Sequence, residues 1–433
     1  MAADKRLRLT SPFARRGGEL FAEDVPLSGI ARETGTPAFV YAAGHVRGRY
    51  AALAGALDGF PHRVHYSLKA NSSRALLSVL HAERSGADVV SGGELYRAIH
   101  AGFAPRDIIF GGVGKTAREI EEGIGADVKL LNVESLAELE LVERLARAAG
   151  RPVRVGLRIN PEVAVESAHH YTKTGEKGHK FGIPFDDVEQ AVRMVSRFQY
   201  VRLEGLGMHV GSQLRSLDAH RAGAERLLSL VDVARAAGAT HLASLDLGGG
   251  LPVRYSDEDD ADLDGFAEIA RAAATRSGLE ILVEPGRFIV ANAGVLLTRV
   301  LYRKRSGGTE YVVVDAGMTE LLRPSHYDAF HRIEPVESPD SATGIVADVV
   351  GPVCETGDFL ARARELPDVQ PGALLAVHSV GAYGFVMASH YNARPRVPEV
   401  VVDGGRWALA TARESYADLV RHERVHLEWR TLR

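Results

Sequence analysis

The chain has 433 residues, of which 45% are hydrophobic and 25% are charged. This ordinary globular composition excludes extended disorder and collagen-like repeats, and the length predicts two domains. The formal net charge of −4 lacks the cationic excess that phosphate-backbone binding requires, so we expect no nucleic-acid partner.

The N-terminal stretch carries Lys5, Arg6 and Arg8 but leads into glycines rather than an apolar segment, and no run of eighteen apolar residues occurs in the chain. We therefore expect a cytoplasmic protein with no signal peptide and no membrane partner. Cys354 is the single cysteine, which excludes an internal disulfide and a multi-thiolate zinc site and favours a reducing compartment.

Eight short apolar or β-branched runs, each followed by a helical pattern, occur between residues 64 and 286. Such alternation predicts parallel strands with crossover helices. Eight units favour a closed (β/α)8 TIM barrel over a doubly wound open sheet, which more typically has five or six strands. The predicted strands are Val64–Ala70, Asp88–Gly92, Ile108–Gly112, Val128–Val133, Val153–Asn160, Leu203–Val210, Leu242–Gly250 and Ile281–Gly286.

Beyond Gly294 the pattern changes to short alternating strands separated by turn residues such as Pro371-Gly372 and Asp403-Gly404-Gly405. This change predicts a separate C-terminal, mainly β domain, a barrel or sandwich. Its predicted strands include Glu310–Asp315, Gly344–Val350, Ala373–Val380 and Val400–Val402. The polar segment 160–184 is longer than a usual βα loop, and a mobile lid and a solvated loop are equally consistent with its composition.

Active sites of such barrels lie at the carboxyl ends of the strands, so the polar residues there are candidates for chemistry. Lys69 follows the first strand, where desolvation would lower its pKa and free an amine nucleophile; a surface lysine is the alternative. Gly248, Gly249 and Gly250 follow the seventh strand and would let backbone N–H groups approach a phosphate, unless they form a plain flexible turn.

The sixth and eighth strands add further candidates. Glu284 could hold a protonated pyridine nitrogen. The alternative is that Glu284 and the neighbouring Arg287 form an ordinary ion pair. His209 could stack on a flat ring and the Ser212 hydroxyl could bind phosphate, although a lone histidine is more often structural.

Two other patterns do not support a site. Residues 111–116 resemble a P-loop, but Ile109 stands where that motif needs glycine, so we expect no nucleotide site. His169, His170 and His179 lack carboxylates at metal-ligand spacing, and we expect no metal.

In the C-terminal domain, Cys354 lies among turn-forming and acidic residues. A thiol in such a polar loop could donate a proton or contact substrate, although a cysteine is more often a small buried hydrophobe. Arg323 could bind a carboxylate through two hydrogen bonds, and Tyr327 and Tyr383 lie in neighbouring motifs. Each signal is weak by itself.

Taken together, the motifs resemble the fold-type III pyridoxal-phosphate decarboxylases, and within them the diaminopimelate decarboxylases most closely. The resemblance implies an alanine-racemase-like barrel at 36–290, a β domain at 291–433 joined by the N-terminal segment 1–35, and a homodimer with shared active sites. The matching segments are Gly18–Pro26, Tyr66–Asn71, Ser85–Glu94, Lys180–Ile183, Gly211–Gln213, Gly248–Gly250, Glu284–Arg287, Asp315–Tyr327, Gly351–Asp358 and Gly381–Pro395.

The resemblance also implies roles for the candidate residues around pyridoxal 5'-phosphate. Cys354, from the other subunit, would reprotonate the substrate carbon, and Glu355 would bind the distal ammonium. The implied catalytic residues are Lys69, which bonds to the cofactor aldehyde, Cys354, His209 and Glu284. The implied cofactor-binding residues are Lys69, Asp88, His209, Ser212, Gly248, Gly249, Gly250, Glu284, Gly286, Arg287 and Tyr383. The implied substrate-binding residues are Arg287, Arg323, Tyr327, Glu355 and Tyr383.

The implied reaction is decarboxylation of meso-2,6-diaminopimelate to L-lysine and carbon dioxide, the last step of lysine biosynthesis. Two departures from the expected pattern, His378-Ser379-Val380 and Met208, replace no group with a named role. A related decarboxylase of ornithine, lysine or carboxynorspermidine is the main alternative, but it would leave the buried Arg323 without a second carboxylate. An alanine racemase would need a tyrosine acid, and a non-catalytic pyridoxal-phosphate protein would be expected to lack Lys69 or Cys354.

Overall fold

The computed structural model describes residues 11–163, 178–338 and 343–431. These residues form two compact units. The barrel unit contains the described residues of 42–294 and 379–386, and the β unit contains those of 13–41, 295–378 and 387–431. The predicted domain boundaries stay a prediction; residues 36–41 group with the β unit and residues 379–386 with the barrel unit.

The N-terminal elements are mainly extended. Gly17 and Gly18 both have positive φ values, 58° and 86°, which is the backbone that a two-residue hairpin turn requires. This turn joins the first two antiparallel strands. The elements are β1 (Phe13–Arg16), β2 (Glu19–Ala22), β3 (Val25–Pro26), α1 (Leu27–Thr34) and β4 (Ala38–Ala42).

Eight parallel strands form a closed barrel in the barrel unit. The ring closes where the eighth strand pairs with the first, with Ile281 opposite His62 and Val283 opposite Val64. This closure confirms the predicted (β/α)8 barrel and excludes the open sheet. The strands are β5 (His62–Ser67), β6 (Gly86–Val89), β7 (Ile108–Phe110), β8 (Leu130–Val133), β9 (Val153–Ile159), β10 (Val201–Met208), β11 (Ser244–Asp246) and β12 (Glu280–Val283).

Helices alternate with these strands, as the periodicity predicts. The sixth helix illustrates the cause, because Leu139, Val142 and Ala146 lie on one buried face and the Ser135 hydroxyl caps its first turn. The helices are α2 (Ala43–Ala56), α3 (Arg74–Ala82), α4 (Gly92–His100), α5 (Ala117–Ala126), α6 (Leu136–Ala149), α7 (Val188–Val195), α8 (Asp218–Ala236), α9 (Leu263–Ser277) and α10 (Arg287–Val290).

The β unit confirms the predicted mainly β domain. One sheet path runs through seven strands, and the core on it includes Val40, Leu297, Ala376 and Val400. The C-terminal elements are β13 (Gly294–Ser306), β14 (Thr309–Val314), α11 (Arg323–Tyr327), β15 (Ile333–Pro335), β16 (Gly344–Val350), β17 (Phe359–Pro367), β18 (Leu374–His378), β19 (Glu399–Asp403), β20 (Arg406–Thr411) and α12 (Tyr416–Val420). The sheet path is β17-β16-β14-β13-β4-β19-β20, with β15 and β18 attached beside it.

Within the described ranges 11–163, 178–338 and 343–431, no helix has the length and apolar character needed to cross a membrane.

Candidate active site

A pocket lies at the carboxyl ends of the barrel strands. The strands are parallel, so side chains that follow different strands meet at one rim. Predicted and unpredicted polar residues line the pocket together. They are Lys69, Asp88, Asn132, Arg158, His209, Asp246 and Glu284.

Lys69 lies in a single helical turn directly after β5. Its Nζ is 3.2 Å from Oδ2 of Asp88, which also accepts a 2.6 Å hydrogen bond from the Ser67 hydroxyl. Burial alone would lower the pKa of Lys69, but the carboxylates of Asp88 and Glu284 outweigh it and raise that pKa. The expectation that the pKa of Lys69 is lowered is therefore wrong. Desolvation does lower this pKa, but the folded barrel also places two carboxylates near the amine, and they stabilise its charged form.

Glu284 and Asp246 form a pair of acids in the same pocket as the lysine. Burial and the neighbouring carboxylates raise the pKa of Glu284 well above its usual range, and burial raises the pKa of Asp246 to about 6. The two side chains share a hydrogen bond, and Asp246 also accepts one of 2.8 Å from the Gly248 N–H. One proton is thus held between two acids, a group suited to a pyridine nitrogen.

His209 provides a neutral aromatic ring in the same pocket. Burial, together with the positive charges of Lys69 and Arg158, holds the pKa of this imidazole well below its usual range. Its Nδ1 accepts a hydrogen bond of 3.3 Å from the Gly249 N–H, so the proton of the neutral ring lies on Nε2. A neutral ring in this position can stack on a flat cofactor without adding charge.

The glycine loop packs against the backbone of two strand ends. A Cβ at Gly248 would lie 2.5 Å from the Met208 carbonyl oxygen, and one at Gly249 would lie 2.3 Å from that of Glu284. Gly250 has a φ of 100°, and a Cβ there would lie 2.7 Å from the carbonyl oxygen of Gly211. Only glycine fits this loop, which keeps its backbone close to the rim.

A buried cation lies beside this loop. The Arg287 guanidinium donates to the Ser212 hydroxyl at 3.1 and 3.2 Å and to the Tyr255 hydroxyl at 2.7 Å. It lies 4.9 Å from the centre of the Tyr383 ring, and its residue is 8% exposed. A guanidinium with two hydroxyls suits a phosphate group. The amine, acid pair and neutral ring of the pocket, together with this anion site at the ends of neighbouring strands, fit pyridoxal phosphate.

Gly286 and Tyr383 are held against the turn that carries the lysine. A Cβ at Gly286 would lie 3.0 Å from Cβ of Ala70. The Tyr383 N–H donates to the Ala70 carbonyl oxygen at 2.8 Å, since residues 379–386 belong to the barrel unit. Their predicted places next to the cofactor therefore adjoin Lys69 in the structure.

Three further residues of the pocket were not predicted from the sequence: Arg158, Asn132 and Asp246. Arg158 is 3.0 Å from Oε1 of Glu134, whose carboxylate also accepts hydrogen bonds from the N–H groups of Gly112 and Gly182. A signal was present, because polar or charged residues stood inside predicted barrel strands, where one face points to the barrel interior.

The P-loop-like segment makes structural contacts, and the expectation of no nucleotide site stays a prediction. The Lys115 ammonium donates to the carbonyl oxygens of Gly112 and Asn132 at 2.7 Å each and pairs with Glu138 at 2.7 Å, with its side chain fully buried. This lysine ties one strand-end loop to the next.

Four predicted site residues belong to the β unit. Arg323 is buried and Tyr327 is half-buried at the two ends of α11. Cys354 and Glu355 are exposed. The Cys354 N–H donates to Oδ1 of Asn392 at 2.9 Å. The Tyr391 hydroxyl donates to the Glu355 carboxylate, and this hydrogen bond raises the pKa of Tyr391. The roles of all predicted site residues stay predictions.

Two expectations concern residues that are only partly described. Residues 164–177 of the predicted lid, including His169 and His170, lie outside the described residues. His179 is described and exposed. In the described part of the chain, no group of three or more His, Cys, Asp or Glu residues could hold a metal ion, and the expectation of no metal stays a prediction.

Comparison with known proteins identifies the family. Residues 43–291 match the family described as "Pyridoxal-dependent decarboxylase, pyridoxal binding domain". A diaminopimelate decarboxylase of Pseudomonas aeruginosa is 44% identical over 408 residues, which cover 94% of this chain and 97% of that protein. The chain belongs to the diaminopimelate decarboxylase family of pyridoxal-dependent decarboxylases.

Solved structures of diaminopimelate decarboxylases have the same fold. The Helicobacter pylori protein complexed with L-lysine has a TM-score of 0.87 and 36% identity, covering 92% of this chain and 99% of that one. The M. jannaschii protein in co-complex with L-lysine has a TM-score of 0.89 and 32% identity, covering 96% and 98%. The predicted fold class and family are thereby confirmed.

Proposed function

We propose that this chain catalyses the pyridoxal-phosphate-dependent decarboxylation of meso-2,6-diaminopimelate to L-lysine and carbon dioxide, the last step of lysine biosynthesis. The observation that carries the proposal is the pocket in which Lys69, the Glu284–Asp246 pair and His209 meet. Near full-length similarity to diaminopimelate decarboxylases supports the substrate.

The cofactor would be held by groups from five strand ends. When bound, pyridoxal phosphate supplies an electron sink for the charge left on the substrate carbon. Lys69 would hold its aldehyde end, and the Asp88 carboxylate, 3.2 Å from Nζ, would orient the amine. Glu284 would hold the ring nitrogen, and His209 would stack on the ring.

The phosphate would be bound by the residues around the glycine loop. The Gly250 N–H and the Ser212 hydroxyl would donate to its oxygens, and the Arg287 guanidinium would balance its charge. Gly248 and Gly249, whose N–H groups donate to Asp246 and His209, would keep the loop close enough for this contact. Tyr255, which already accepts a hydrogen bond from Arg287, would keep that guanidinium in position.

The β unit would supply substrate recognition and the proton. Arg323 and Tyr327 would bind the distal carboxylate, and Glu355 would bind the distal ammonium. The bond between Cα and the carboxylate carbon breaks, carbon dioxide leaves, and the Cys354 thiol of the second subunit would return a proton to Cα. An exposed thiol and carboxylate are consistent with residues that serve a neighbouring subunit.

Carbon dioxide release tests the substrate. The holoenzyme should act on meso-diaminopimelate and leave ornithine, lysine and arginine nearly untouched, because none of these three amino acids carries the distal carboxylate that Arg323 would bind. LL- and DD-diaminopimelate, which carry the same groups, test whether the configuration at the two amino carbons also matters. Comparable release from ornithine would contradict the substrate while leaving the cofactor chemistry in place.

Mixed subunits test the proposed homodimer with shared sites. Lys69→Ala and Cys354→Ala proteins should each be nearly inactive, and refolding an equal mixture should restore about a quarter of wild-type activity, since half of the dimers are mixed and each has one complete site. No recovery from a mixture shown to exchange subunits would contradict the sharing. The expected cytoplasmic location stays a prediction.

A further inference from the structure

A histidine in the β unit holds the guanidinium of Arg323. Nε2 of His331 is 2.9 Å from Nη1 of Arg323. Nδ1 of the same ring is 2.8 Å from the His378 carbonyl oxygen. His331 is 0% exposed and Arg323 is 7% exposed, so both contacts are made away from solvent.

These two contacts fix the protonation of the His331 ring. A guanidinium has only N–H donors and a carbonyl oxygen only accepts. Nε2 must therefore accept from Arg323, and Nδ1 must carry the hydrogen that it donates to His378. A ring with one donor and one acceptor nitrogen is neutral.

The backbone around His331 is also held in place. The His331 carbonyl oxygen accepts a 2.6 Å hydrogen bond from Nη1 of Arg364, and the His378 N–H donates to the Arg332 carbonyl oxygen at 2.8 Å. β15 and β18 continue this pairing, with Ile333 opposite Val377. The ring is therefore fixed between a strand end and the first residue of α11.

We propose that His331 is a positioning residue that holds the Arg323 guanidinium as a receptor for the distal carboxylate of the substrate without adding negative charge to it. This inference rests on the proposed function, in which Arg323 binds that carboxylate. A carboxylate at position 331 would make the same hydrogen bond but would compete with the substrate for the guanidinium. A neutral ring nitrogen fixes the direction of the guanidinium only.

Three substitutions separate charge from position. His331→Gln keeps a neutral donor and acceptor, His331→Asp keeps an acceptor but adds charge, and His331→Phe keeps a ring without hydrogen bonds. His426→Gln, at an exposed position of the C-terminal segment, is the matched control. Each protein is loaded with pyridoxal phosphate, and its visible absorption and melting temperature are recorded to show that the fold and the cofactor site are retained.

Kinetics with meso-diaminopimelate should show an effect on KM rather than on kcat. We expect His331→Asp to raise KM by roughly tenfold or more with kcat within about twofold, and His331→Gln to raise it by less than about threefold. In the Arg323→Ala background, His331→Asp should raise KM no further, because its target has been removed.

Binding of two unreactive probes gives a readout that does not depend on turnover. Pimelate has a carboxylate at each end, whereas 6-aminohexanoate has only one. Calorimetry should show pimelate binding weakened about tenfold by His331→Asp and unchanged by His426→Gln, with 6-aminohexanoate affected by neither.

The outcomes distinguish this inference from the proposed function. If wild type releases no carbon dioxide from meso-diaminopimelate, the proposed function fails. If wild type is active and folded His331→Asp and His331→Phe proteins keep its KM and pimelate affinity, the positioning role is overturned. If neither of these two variants folds, His331→Gln decides the question. The proposal is supported if His331→Gln binds pimelate within about threefold of wild type while Arg323→Ala abolishes pimelate binding. It is overturned if the two variants lose pimelate affinity equally.

Discussion

The barrel pocket and the Cys354–Glu355 loop differ in how far their ionisable side chains are buried. In the pocket, Asp88 and Asp246 are buried. Burial and the Asp88 carboxylate raise the pKa of Asp246, and the Asp88 carboxylate also raises the pKa of Lys69. In the loop, Cys354 and Glu355 are exposed. The contrast supports the proposal that the strands of one chain preorganise the cofactor site and that the proposed proton donor, Cys354, serves a second subunit. Changes in the pocket should therefore alter the retention or the spectrum of the bound cofactor together with turnover, and changes in the loop should affect turnover alone.

The largest effect should come from Lys69→Ala. Without the amine, covalent retention of the cofactor is lost, and turnover should fall by about 10³-fold or more. Visible absorption after gel filtration and carbon dioxide release measure the two losses. Lys304→Ala, which removes an exposed lysine of the β unit, should leave both unchanged; a turnover loss below tenfold for Lys69→Ala would remove the lysine from its role.

The next effect should come from Glu284→Gln. An amide cannot stabilise a positive ring nitrogen as a carboxylate does, so turnover should fall by about 10² to 10³-fold. The visible spectrum should shift because the ring loses its proton, while the cofactor stays attached through Lys69. Asp246→Asn, which keeps a hydrogen-bond partner for Glu284, should cost less than about tenfold. Equal losses in the two variants would mean that charge at Glu284 is not the cause.

Cys354→Ala tests whether a change in the loop lowers turnover without lowering cofactor retention. Loss of a general acid costs about 10²-fold in turnover, and retention of the cofactor on dialysis should match wild type because the loop lies outside the barrel unit. Cys354→Ser keeps a weaker proton donor and should be intermediate. An unchanged rate in Cys354→Ala would remove the thiol from catalysis.

The smallest effect concerns the stability of the cofactor-free protein. The pKa of Asp246 is about 6 in the folded chain, above that of a free carboxyl, so between about pH 4 and pH 6 the folded chain binds more protons than the unfolded one. Stability from this group falls as pH rises through that range. Asp246→Asn should therefore become more stable relative to wild type as the pH rises from about 4.5 to about 7.5.

Melting temperatures at the two pH values measure this difference. The exposed Asp259→Asn variant should follow wild type, because its carboxyl is solvated in both states. A parallel response of Asp246→Asn and wild type would show that the buried acid pair does not store a proton.

The barrel and most of its rim could be predicted because the signals are local. Each strand, its turn and the polar residue that follows it are adjacent in sequence, and closure of the ring then brings Lys69, His209 and Glu284 together. The direction of the Lys69 pKa could not be predicted, since it depends on Asp88 and Glu284 from other strands. Desolvation is visible from position in the chain, but the distance between charges is not.

The pocket residues that were not predicted also depend on contacts that form only in the folded chain. Arg158 and Asp246 stand within strands, and the sequence does not show which face meets the pocket. The 13-residue strand β13 pairs with β14 along one part and with β18 along another, a long-range arrangement with no local signal. His331 likewise acquires its partner, Arg323, only when α11 and the end of β18 are in place.

Borohydride reduction of the protein after incubation with pyridoxal phosphate tests the central claim most directly. The reagent converts a lysine–aldehyde bond into a stable amine, and peptide mapping locates it. We expect one stoichiometric label on the peptide that contains Lys69, and none on that peptide in Lys69→Ala. A protein that stays colourless and shows no label at position 69 would contradict the account.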